Sequence, residues 1–557
     1  MCAGTYAARV AAGVVVLVGC LSSCGGVGGG GGFGSAGVVR VSWGDPQNPL
    51  EPANTNEVQG SKVLGMIFRG LKQYDPVTGE AKDMVAESIS TNDQQNFTVT
   101  LKPGWTFSDG TPVTAASFVD AWNYGALVTS KQVNAPFFKD IEGYGRVHPQ
   151  AADGIPSART LSGLKIVDER RFTVRLVRKF SAWPQTLGYA AFMPLPRMFF
   201  TDHEAWLRKP VGNGPYRVEA YTRGESMKLA RSANYSGPDR PVNDGVELKV
   251  YTDSVAAYAD LQSNNLDVSD DIPASELPNV RTDLGDRFMN QPAGKSETMS
   301  FPMYRAQWGS DRALKLRQGI SMAIDRNQIT QTIFKGTRTP ASDWTSPVLG
   351  EGGGYRAGLC GQACTFNPQR ARQLIEQAGG LPGGKVTISA NVDIGSPREW
   401  MDAVCNSINN VLGKAAACTV NPVATLAAFD KQVDAGQMNG PFRTGWEMDY
   451  PLIQDFLQPL YYTKASSNRC GYSSREFDTL VDEANGERSQ AKAVETFQRA
   501  EQVLAWDFPV IPLWHVNATA GYSKRVSGVV LDKSSVPVFT RIKVVADQRL
   551  AVASAPR

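Results

Sequence analysis

The chain changes from a strand-like to a helix-like pattern within one stretch, Leu101-Lys-Pro-Gly-Trp-Thr-Phe-Ser-Asp-Gly-Thr-Pro-Val-Thr-Ala115, which is followed by Phe118 and Trp122. The run Phe97-Thr-Val-Thr-Leu101 alternates apolar and polar residues, as a half-buried strand does. Asp109-Gly110 is a turn dipeptide, and Thr114 is a suitable N-cap for a helix over residues 115–124. The stretch therefore predicts a strand, a turn and a capped helix, with Asp109 as a turn residue rather than a ligand contact.

Similar patterns recur along the chain. Residues 172–177 and 245–251 alternate like strands, whereas residues 314–324 and 477–504 have apolar positions at helical spacing, the last with a break at Gly486. No short internal repeat is visible, which argues against solenoids and propellers. The elements also lack the regular alternation of one doubly wound sheet, so we predict a mixed α/β fold.

The composition is that of a folded chain with two or three lobes. The chain has 557 residues, of which 42% are hydrophobic, and domains usually hold roughly 100–200 residues. Lys and Arg total 57 against 54 Asp and Glu, so no basic excess indicates a nucleic-acid partner. Only His148, His203 and His515 are present, and we expect no metal site and no cofactor.

The N-terminal segment has the layout of a secretory signal. An apolar run over residues 10–21 leads to Leu21-Ser-Ser-Cys24. The run is short and broken by glycine, so residues 1–23 are predicted to be a signal peptide rather than a membrane span. The tetrapeptide resembles the bacterial lipobox, which predicts a lipidated Cys24; Leu17-Val-Gly-Cys20 is a second candidate, and a chance cysteine is the alternative. Residues 24–36 would form the lipidated cysteine and a glycine-rich tether.

Five cysteines follow Cys24, at positions 360, 364, 405, 418 and 470. An extracytoplasmic location permits disulfides. The local pairings are Cys360 with Cys364 and Cys405 with Cys418, which leaves Cys470 over. A metal site is disfavoured because neither pair lies near a histidine or a second Cys-x-x-Cys.

Three further segments extend the pattern of the opening stretch. They are Gly212-Asn-Gly-Pro-Tyr-Arg-Val218 with Lys228-Leu-Ala-Arg-Ser-Ala-Asn-Tyr235, then Leu316-Arg-Gln-Gly-Ile-Ser-Met-Ala-Ile-Asp-Arg326, then Gly445-Trp-Glu-Met-Asp-Tyr-Pro451 with Phe456-Leu457 and Pro459. The Gly-x-Gly at 212–214 precedes a strand, so we interpret it as a strand-entry turn rather than a phosphate loop. In their order and spacing, the four segments resemble the family 5 solute-binding proteins of dipeptide and oligopeptide ABC importers. Together with the N-terminal segment, they resemble an actinobacterial-type lipoprotein of that family.

The resemblance implies a fold and its domains. The fold is an α/β bilobed clamp of the type II periplasmic-binding-protein class, with an extra β-rich domain inserted near the N-terminus, two crossing strands as a hinge, and lobes that close on a ligand. The implied boundaries are residues 37–72, 200–298 and 523–557 for lobe I, residues 73–199 for the inserted domain and residues 299–522 for lobe II.

The fourth segment is implied to hold the ligand. Asp449 matches the position that binds the amino terminus of a peptide in relatives. Such a position suits a carboxylate, because a buried ammonium needs a fixed anionic partner. The alternatives are that Asp449 caps a turn, or that Glu447 is the carboxylate that binds the ammonium. Arg443 matches a position that binds a ligand carboxylate, or is structural. Trp446 would line a side-chain pocket or belong to the core. Gly445 and Tyr450 of the same motif are also expected to be ligand-binding residues.

The segment Leu50-Glu-Pro-Ala-Asn-Thr-Asn-Glu-Val-Gln-Gly60 also resembles the family, where it runs along the cleft. Asn56, Glu57 and Val58 fall at ligand-facing positions, and their backbone would pair with an extended peptide. Glu57 could equally be a helix-start carboxylate.

The resemblance implies a function and partners. We expect a monomer, tethered to the cell membrane, that binds peptides of about two to five residues as an added strand and delivers them to the permease and ATPase of an importer. Haem, a metal chelate or an oligosaccharide as ligand, and peptide sensing, are the alternatives. An enzyme is disfavoured because the sequence has no His-Glu-x-x-His and no Gly-x-Ser-x-Gly.

Overall fold

The structure is a computed structural model that describes residues 37–149, 154–392 and 397–545. The strands are β1 (Val38–Trp43), β2 (Lys72–Tyr74), β3 (Ala81–Asp83), β4 (Ala86–Thr91), β5 (Asn96–Leu101), β6 (Leu164–Asp168), β7 (Arg171–Arg175), β8 (Tyr216–Thr222), β9 (Ser226–Arg231), β10 (Gly245–Val250), β11 (Val268–Ser269), β12 (Phe288–Ser300), β13 (Arg338–Pro340), β14 (Val386–Asn391), β15 (Cys418–Val423), β16 (Phe442–Glu447), β17 (Val510–Tyr522), β18 (Val526–Ser527) and β19 (Lys543–Val544).

Helices lie between and over these strands. They are α1 (Val58–Ile67), α2 (Ala115–Ala126), α3 (Tyr144–Val147), α4 (Trp183–Thr186), α5 (Arg197–Thr201), α6 (His203–Arg208), α7 (Ser254–Gln262), α8 (Val280–Leu284), α9 (Ala306–Gly309), α10 (Ala313–Met322), α11 (Arg326–Thr332), α12 (Pro368–Gln377), α13 (Pro397–Leu412), α14 (Leu426–Asp434), α15 (Ile453–Tyr461), α16 (Arg475–Gly486) and α17 (Gln490–Asp507). None of the helices in this described part of the chain has the length and apolar character of a membrane span.

The largest sheet has 11 strands in the order β15-β14-β16-β12-β17-β11-β1-β10-β9-β8, with β13 paired to β17. Strand β14 runs parallel to β15 and β16, and β1 runs parallel to β10 and β11; the other pairs are antiparallel. The two 13-residue strands, β12 and β17, join the β14–β16 half to the half that contains β1. The predicted mixed α/β class is confirmed.

The β12–β17 ladder contains an irregularity that other parts of the chain hold in place. Its register shifts between Pro292 and Lys295, where a proline without an N–H is tolerated. Between them, Gly294 donates its N–H to the carbonyl of Lys533 at 3.2 Å and accepts from the N–H of Met448 at 2.7 Å. A Cβ on Gly294 would lie 2.7 Å from the Cβ of Met448. The bulge therefore ties the chain that follows β16 to the centre of the sheet.

The opening stretch of the sequence forms the predicted strand, turn and helix. Strand β5 ends at Leu101. In the turn that follows further along the chain, a carboxylate oxygen of Asp109 accepts from the N–H and the hydroxyl of Thr111 at 2.9 and 2.6 Å. Thr114 begins α2 with a capping box, as expected. Helix α2 covers a four-stranded sheet of order β4-β5-β7-β6, and Trp122 packs against Phe172 with 5.5 Å between ring centroids. This sheet lies in the segment 73–199, whose domain boundaries stay a prediction.

The Gly-x-Gly motif closes the C-terminal end of α1, just before strand β8. The side-chain amide of Asn213 accepts from the N–H of Arg69 and donates to its carbonyl, both at 2.9 Å. The N–H of Gly214 donates to the carbonyl of Ile67 at 2.8 Å. A Cβ on Gly214 would lie 2.4 Å from the carbonyl carbon of Ile67, so the glycine is required by a close backbone approach.

Two disulfides join the expected cysteines, Cys360 to Cys364 and Cys405 to Cys418. The second bond connects α13 to the start of β15. Cys470 is free and buried. The predicted signal peptide, the lipidated Cys24 and the glycine tether lie outside the described residues.

We predict that Gly214→Ala lowers the free energy of unfolding by about 2–4 kcal/mol, because its methyl group collides with backbone atoms of α1 that cannot move independently. Chemical denaturation measures the change. Gly65→Ala is the matched control: Gly65 lies within α1, and no atom is within 4 Å of the position that a Cβ would take there. The control should be neutral or stabilising by up to about 1 kcal/mol. Equal stability of the two variants would contradict this account of the turn.

Candidate functional site

A cavity of about 530 Å³ lies beside β12 and β16, within the size range of small-molecule sites. Its charged lining residues are Lys295, Glu297, Asp430, Arg443, Glu447, Asp449 and Arg469. Its aromatic lining residues are Phe137, Tyr189, Trp344, Phe429, Trp446 and Tyr461. The lining thus combines residues of β12 and β16, of the chain that follows β16, and of the segment 73–199.

The charges in the cavity do not balance. Each basic side chain has an acidic partner: Lys295 with Glu447 at 3.4 Å, Arg443 with Glu297 at 3.7 Å, and Arg469 with Asp430 at 2.5 Å. Asp449 is the remaining acid, and it forms no ion pair with any residue that the structure describes. The cavity therefore contains a carboxylate that no neighbouring cation compensates.

A second acid, Asp455, fixes the position of Asp449. Its carboxylate accepts from the backbone N–H of Asp449 at 3.1 Å and from the indole N–H of Trp446 at 3.0 Å. Asp455 is buried in the first turn of α15, where the helix dipole favours a negative charge. One buried carboxylate thus holds both the backbone of Asp449 and the ring of Trp446.

Burial and neighbouring acids disfavour the ionised forms of both carboxyl groups. Burial, together with the charge of Glu447, raises the pKa of Asp449 to about 7. Burial also raises the pKa of Asp455, as does the charge of Asp449. Burial and the charge of Asp449 raise the pKa of Tyr189, so its phenol stays neutral. Since nearby cations favour ionised carboxylates, this region is suited to a positively charged group.

The structure brings five of the predicted ligand-binding residues to this cavity: Asn56, Arg443, Gly445, Trp446 and Asp449. Gly445 pairs with Glu297 in the β12–β16 ladder, and a Cβ on Gly445 would lie 2.7 Å from the carbonyl oxygen of Ser296. Arg443 also donates to the side-chain oxygen of Asn391 at 3.0 Å. Their predicted contacts with a ligand stay predictions.

Three predicted residues lie elsewhere in this structure. Glu57 is the N-cap of α1, because its carboxylate accepts from the N–H groups of Gln59 and Gly60 at 2.7 and 2.8 Å. Val58 begins the same helix, so its backbone is not extended as expected for strand pairing. Tyr450 is buried outside the cavity lining, and its hydroxyl bonds to Gln454.

Other residues of the site were not predicted. Asp455 lies only six positions after Asp449 in the sequence, and this acidic spacing could have indicated it. Phe137 and Tyr189 stack with 4.1 Å between ring centroids, but both come from the segment 73–199. No local pattern could have placed that segment beside β16.

Comparisons with known proteins assign the chain to a family. The profile described as bacterial extracellular solute-binding proteins, family 5 middle, matches residues 80–468. The chain belongs to this family. The dipeptide-binding protein DppE of Bacillus subtilis is 24% identical over 507 residues, covering 89% of this chain and 86% of the relative. The glutathione-binding protein GsiB of Escherichia coli K12 is 21% identical over 496 residues, covering 88% of this chain and 91% of GsiB.

Solved structures share the fold over nearly the whole chain. The unliganded open form of the periplasmic murein tripeptide-binding protein MppA has a TM-score of 0.78 at 20% identity, covering 92% of this chain and 98% of MppA. OppA of Haemophilus influenzae, in complex with the peptide RPPGFSPFR, has a TM-score of 0.70 at 18% identity, covering 92% of this chain and 99% of OppA. The expected bilobed clamp is confirmed, and the protein is of the extracellular solute-binding class.

We predict that Asp449→Asn stabilises the ligand-free protein in a pH-dependent way. In the folded state the pKa of Asp449 is raised to about 7 from an ordinary value of 3.8. The wild type therefore loses folding stability as the pH rises from about 4 to 7, because the folded state holds the proton of Asp449 more tightly than the unfolded state. The Asp449→Asn variant has no such loss, because its side-chain amide does not titrate. The gain in free energy of unfolding should be near zero at pH 4 and reach up to about 4 kcal/mol at pH 8.

Denaturant unfolding at several pH values, after removal of any bound ligand, measures this gain. Asp286→Asn is the control, because Asp286 is exposed and its side chain has no hydrogen bond or ion pair with the described residues. A gain for Asp449→Asn that does not grow with pH would contradict the prediction.

Proposed function

We propose that the protein binds short peptides in this cavity and delivers them to the permease and ATPase of an ABC importer. The observation that carries the proposal is the uncompensated carboxylate of Asp449 in a cavity whose other charges are paired. The names of the dipeptide-binding and glutathione-binding relatives support a peptide ligand.

A peptide α-amino group supplies the cation that the cavity lacks. Its pKa is about 8, so it is charged at neutral pH, and its burial requires a fixed anionic partner. Asp449 is that partner in the proposal. Binding would lower the pKa of Asp449 and release the repulsion between Asp449 and Asp455. The rings of Trp446 and Tyr189 line the same cavity and would flank the first residue of the peptide.

The backbone of the peptide can pair with β16. Strand β14 pairs with β16 only through Ser389 and Phe442 among the described residues, whereas β12 pairs with β16 from Phe442 to Glu447. Beyond Phe442, one edge of β16 is therefore open to an extended peptide. Strand addition binds many sequences, because backbone hydrogen bonds do not depend on side chains. We place this pairing on β16 rather than on residues 56–58.

The location of the protein follows from the same proposal. We propose that residues 1–23 are removed, that Cys24 is lipidated, and that residues 24–36 tether a monomeric clamp outside the cell membrane. The two lobes and the inserted domain would follow the boundaries inferred from the sequence, with β12 and β17 as the strands that cross between lobes. The two disulfides are compatible with an extracytoplasmic compartment.

We predict that Asp449→Asn weakens the binding of a tetrapeptide by two to three or more decades, about 3–5 kcal/mol, because it leaves a buried ammonium unpaired. N-acetylation of the peptide removes the same pair from the ligand side, so the two changes should not be additive. Calorimetry with both proteins and both peptides completes the cycle.

Glu447→Gln is the matched control for this cycle. Glu447 belongs to the same motif and is the rival carboxylate, but its side chain is 60% exposed, so its loss should cost less than about 1 kcal/mol. Fully additive losses, or a larger loss for Glu447→Gln than for Asp449→Asn, would place the ammonium elsewhere.

We predict that Cys24→Ala prevents lipidation, so that the protein is released from the membrane or stays unprocessed. Cell fractionation and mass spectrometry of the N-terminus measure both outcomes. Cys20→Ala is the control and should leave anchoring unchanged. Unaltered anchoring of Cys24→Ala would contradict the assignment, and loss of anchoring in the control would identify Cys20 as the modified residue.

A further inference from the structure

We infer that the cavity selects a hydroxyl-bearing side chain, serine or threonine, at the third position of a bound peptide. This inference rests on the proposed function and narrows its substrate class. It concerns the side chains of the peptide rather than its two ends. The observations that carry it are the chemistry and the hydrogen bonds of the two faces of the β12–β16 ladder.

One face of this ladder carries the charged side chains of both strands. Lys295 is opposite Glu447, and Glu297 is opposite Gly445. Opposite residues of an antiparallel pair share a face, and so do alternate residues along a strand. Arg443 therefore lies on this face too, where its guanidinium is 3.7 Å from the carboxylate of Glu297. We call this surface the ionic face.

The other face of the same two strands carries hydroxyl groups. Thr298 is opposite Thr444, and their hydroxyl oxygens lie 2.8 Å apart. The hydroxyl of Ser300 lies 2.7 Å from that of Thr444. All three residues line the cavity, and Thr298 and Ser300 are buried. We call these three side chains the hydroxyl cluster.

The hydroxyl cluster has more hydrogen-bonding capacity than it uses. Each hydroxyl has one proton and two lone pairs, so two contacts among three hydroxyls use two of the three protons. Within the described ranges these hydroxyls form no other hydrogen bond. One proton and several lone pairs are therefore available to a group in the cavity.

A second observation on the same face also indicates a polar ligand group. Ser296 is opposite Trp446, lines the cavity and is only 5% exposed. Its hydroxyl has no hydrogen-bond partner in the part of the chain that the structure describes. A buried hydroxyl without a partner is unfavourable, so a polar group of the ligand would stabilise this face.

The wall beside the hydroxyl cluster is apolar. Val510 is opposite Ser300, and the indole N–H of Trp344 donates to the carbonyl of Val510 at 3.0 Å. Both residues line the cavity. A threonine side chain matches this combination, because its methyl group can contact the wall while its hydroxyl both donates to and accepts from the cluster. An apolar side chain of the same size would bury the cluster with its capacity unused.

The register of the proposed strand pairing selects the third residue. With its amino end at Asp449, the peptide runs antiparallel to β16, and its first residue lies beside Trp446. Thr444 is two positions before Trp446, on the same face. The third side chain of an extended peptide therefore reaches the hydroxyl cluster, whereas its second and fourth side chains point to the ionic face.

The experiment uses tetra-alanine peptides in which threonine or valine replaces the second, third or fourth residue. The two side chains have nearly the same shape and differ by one hydroxyl. Calorimetry gives the ratio of the dissociation constants of each valine and threonine peptide. We expect a ratio of at least about tenfold at the third position. At the second and fourth positions, where Lys295 and Glu447 leave the ionic face open to water, the ratio should stay below about threefold.

The triple variant Thr298→Val/Ser300→Ala/Thr444→Val removes the hydroxyl cluster as a unit, so that no hydroxyl of the cluster is left unpaired. The ratio at the third position should fall to about one in this variant. Thr387→Val/Thr419→Val is the matched control. It removes a hydroxyl pair that joins β14 to β15 with 3.2 Å between the oxygens and does not line the cavity. The control should keep the wild-type ratio.

The measurements on the wild type decide the inference even if the triple variant does not fold. Equal binding of the valine and threonine peptides at the third position would overturn it and leave peptide binding intact. So would a threonine preference at the second or fourth position instead, or a preference that persists in the folded triple variant. No binding of any of these peptides to the wild type would overturn the proposed function, and this inference with it.

Discussion

The antiparallel ladder between β12 and β17 determines the geometry of the whole site. The two strands join the halves of the large sheet, and the other edge of β12 pairs with β16. This arrangement brings Glu297 and Lys295 of β12 beside Arg443 and Glu447 of β16. At the bulge, Gly294 bonds to Met448, the residue before Asp449. The position of Asp449 is thus linked to the two long strands that join the halves of the sheet.

The cavity is electrostatically incomplete, and this has a cost in stability. Two acids lie close together, each with a raised pKa, and no described cation compensates Asp449. Natural proteins commonly retain such unfavourable groups where a ligand completes the arrangement. In the proposed function, the ammonium group of the ligand would relieve the repulsion between the two acids. Ligand binding then adds directly to the stability of the folded chain.

Local sequence predicted the features that depend on neighbouring residues. The strand, turn and capped helix at residues 97–126 follow from alternation, a turn dipeptide and an N-cap, and the glycine turn before β8 follows from its strand-entry position. Asp449 was placed in a site through resemblance to a family. By contrast, Glu57 was ambiguous because one carboxylate can cap a helix or face a ligand. Only the fold shows which backbone amides it reaches.

The partners of each charge could not be predicted, because they come from distant parts of the chain. Glu297 lies on β12 and Arg443 on β16, and their pairing depends on strand register. Tyr189 reaches the cavity from a segment with its own four-stranded sheet. Sequence therefore indicated which residue types serve a peptide ligand, whereas the structure identified Asp449 as the acid without a cation.

The most direct test of this account is a crystal structure of the protein with a bound tripeptide. We expect the α-amino nitrogen within about 2.7–3.2 Å of a carboxylate oxygen of Asp449, with the peptide backbone extended along β16. An α-amino nitrogen in contact with Glu447 or Asp430 instead, or one left in solvent, would contradict the central claim.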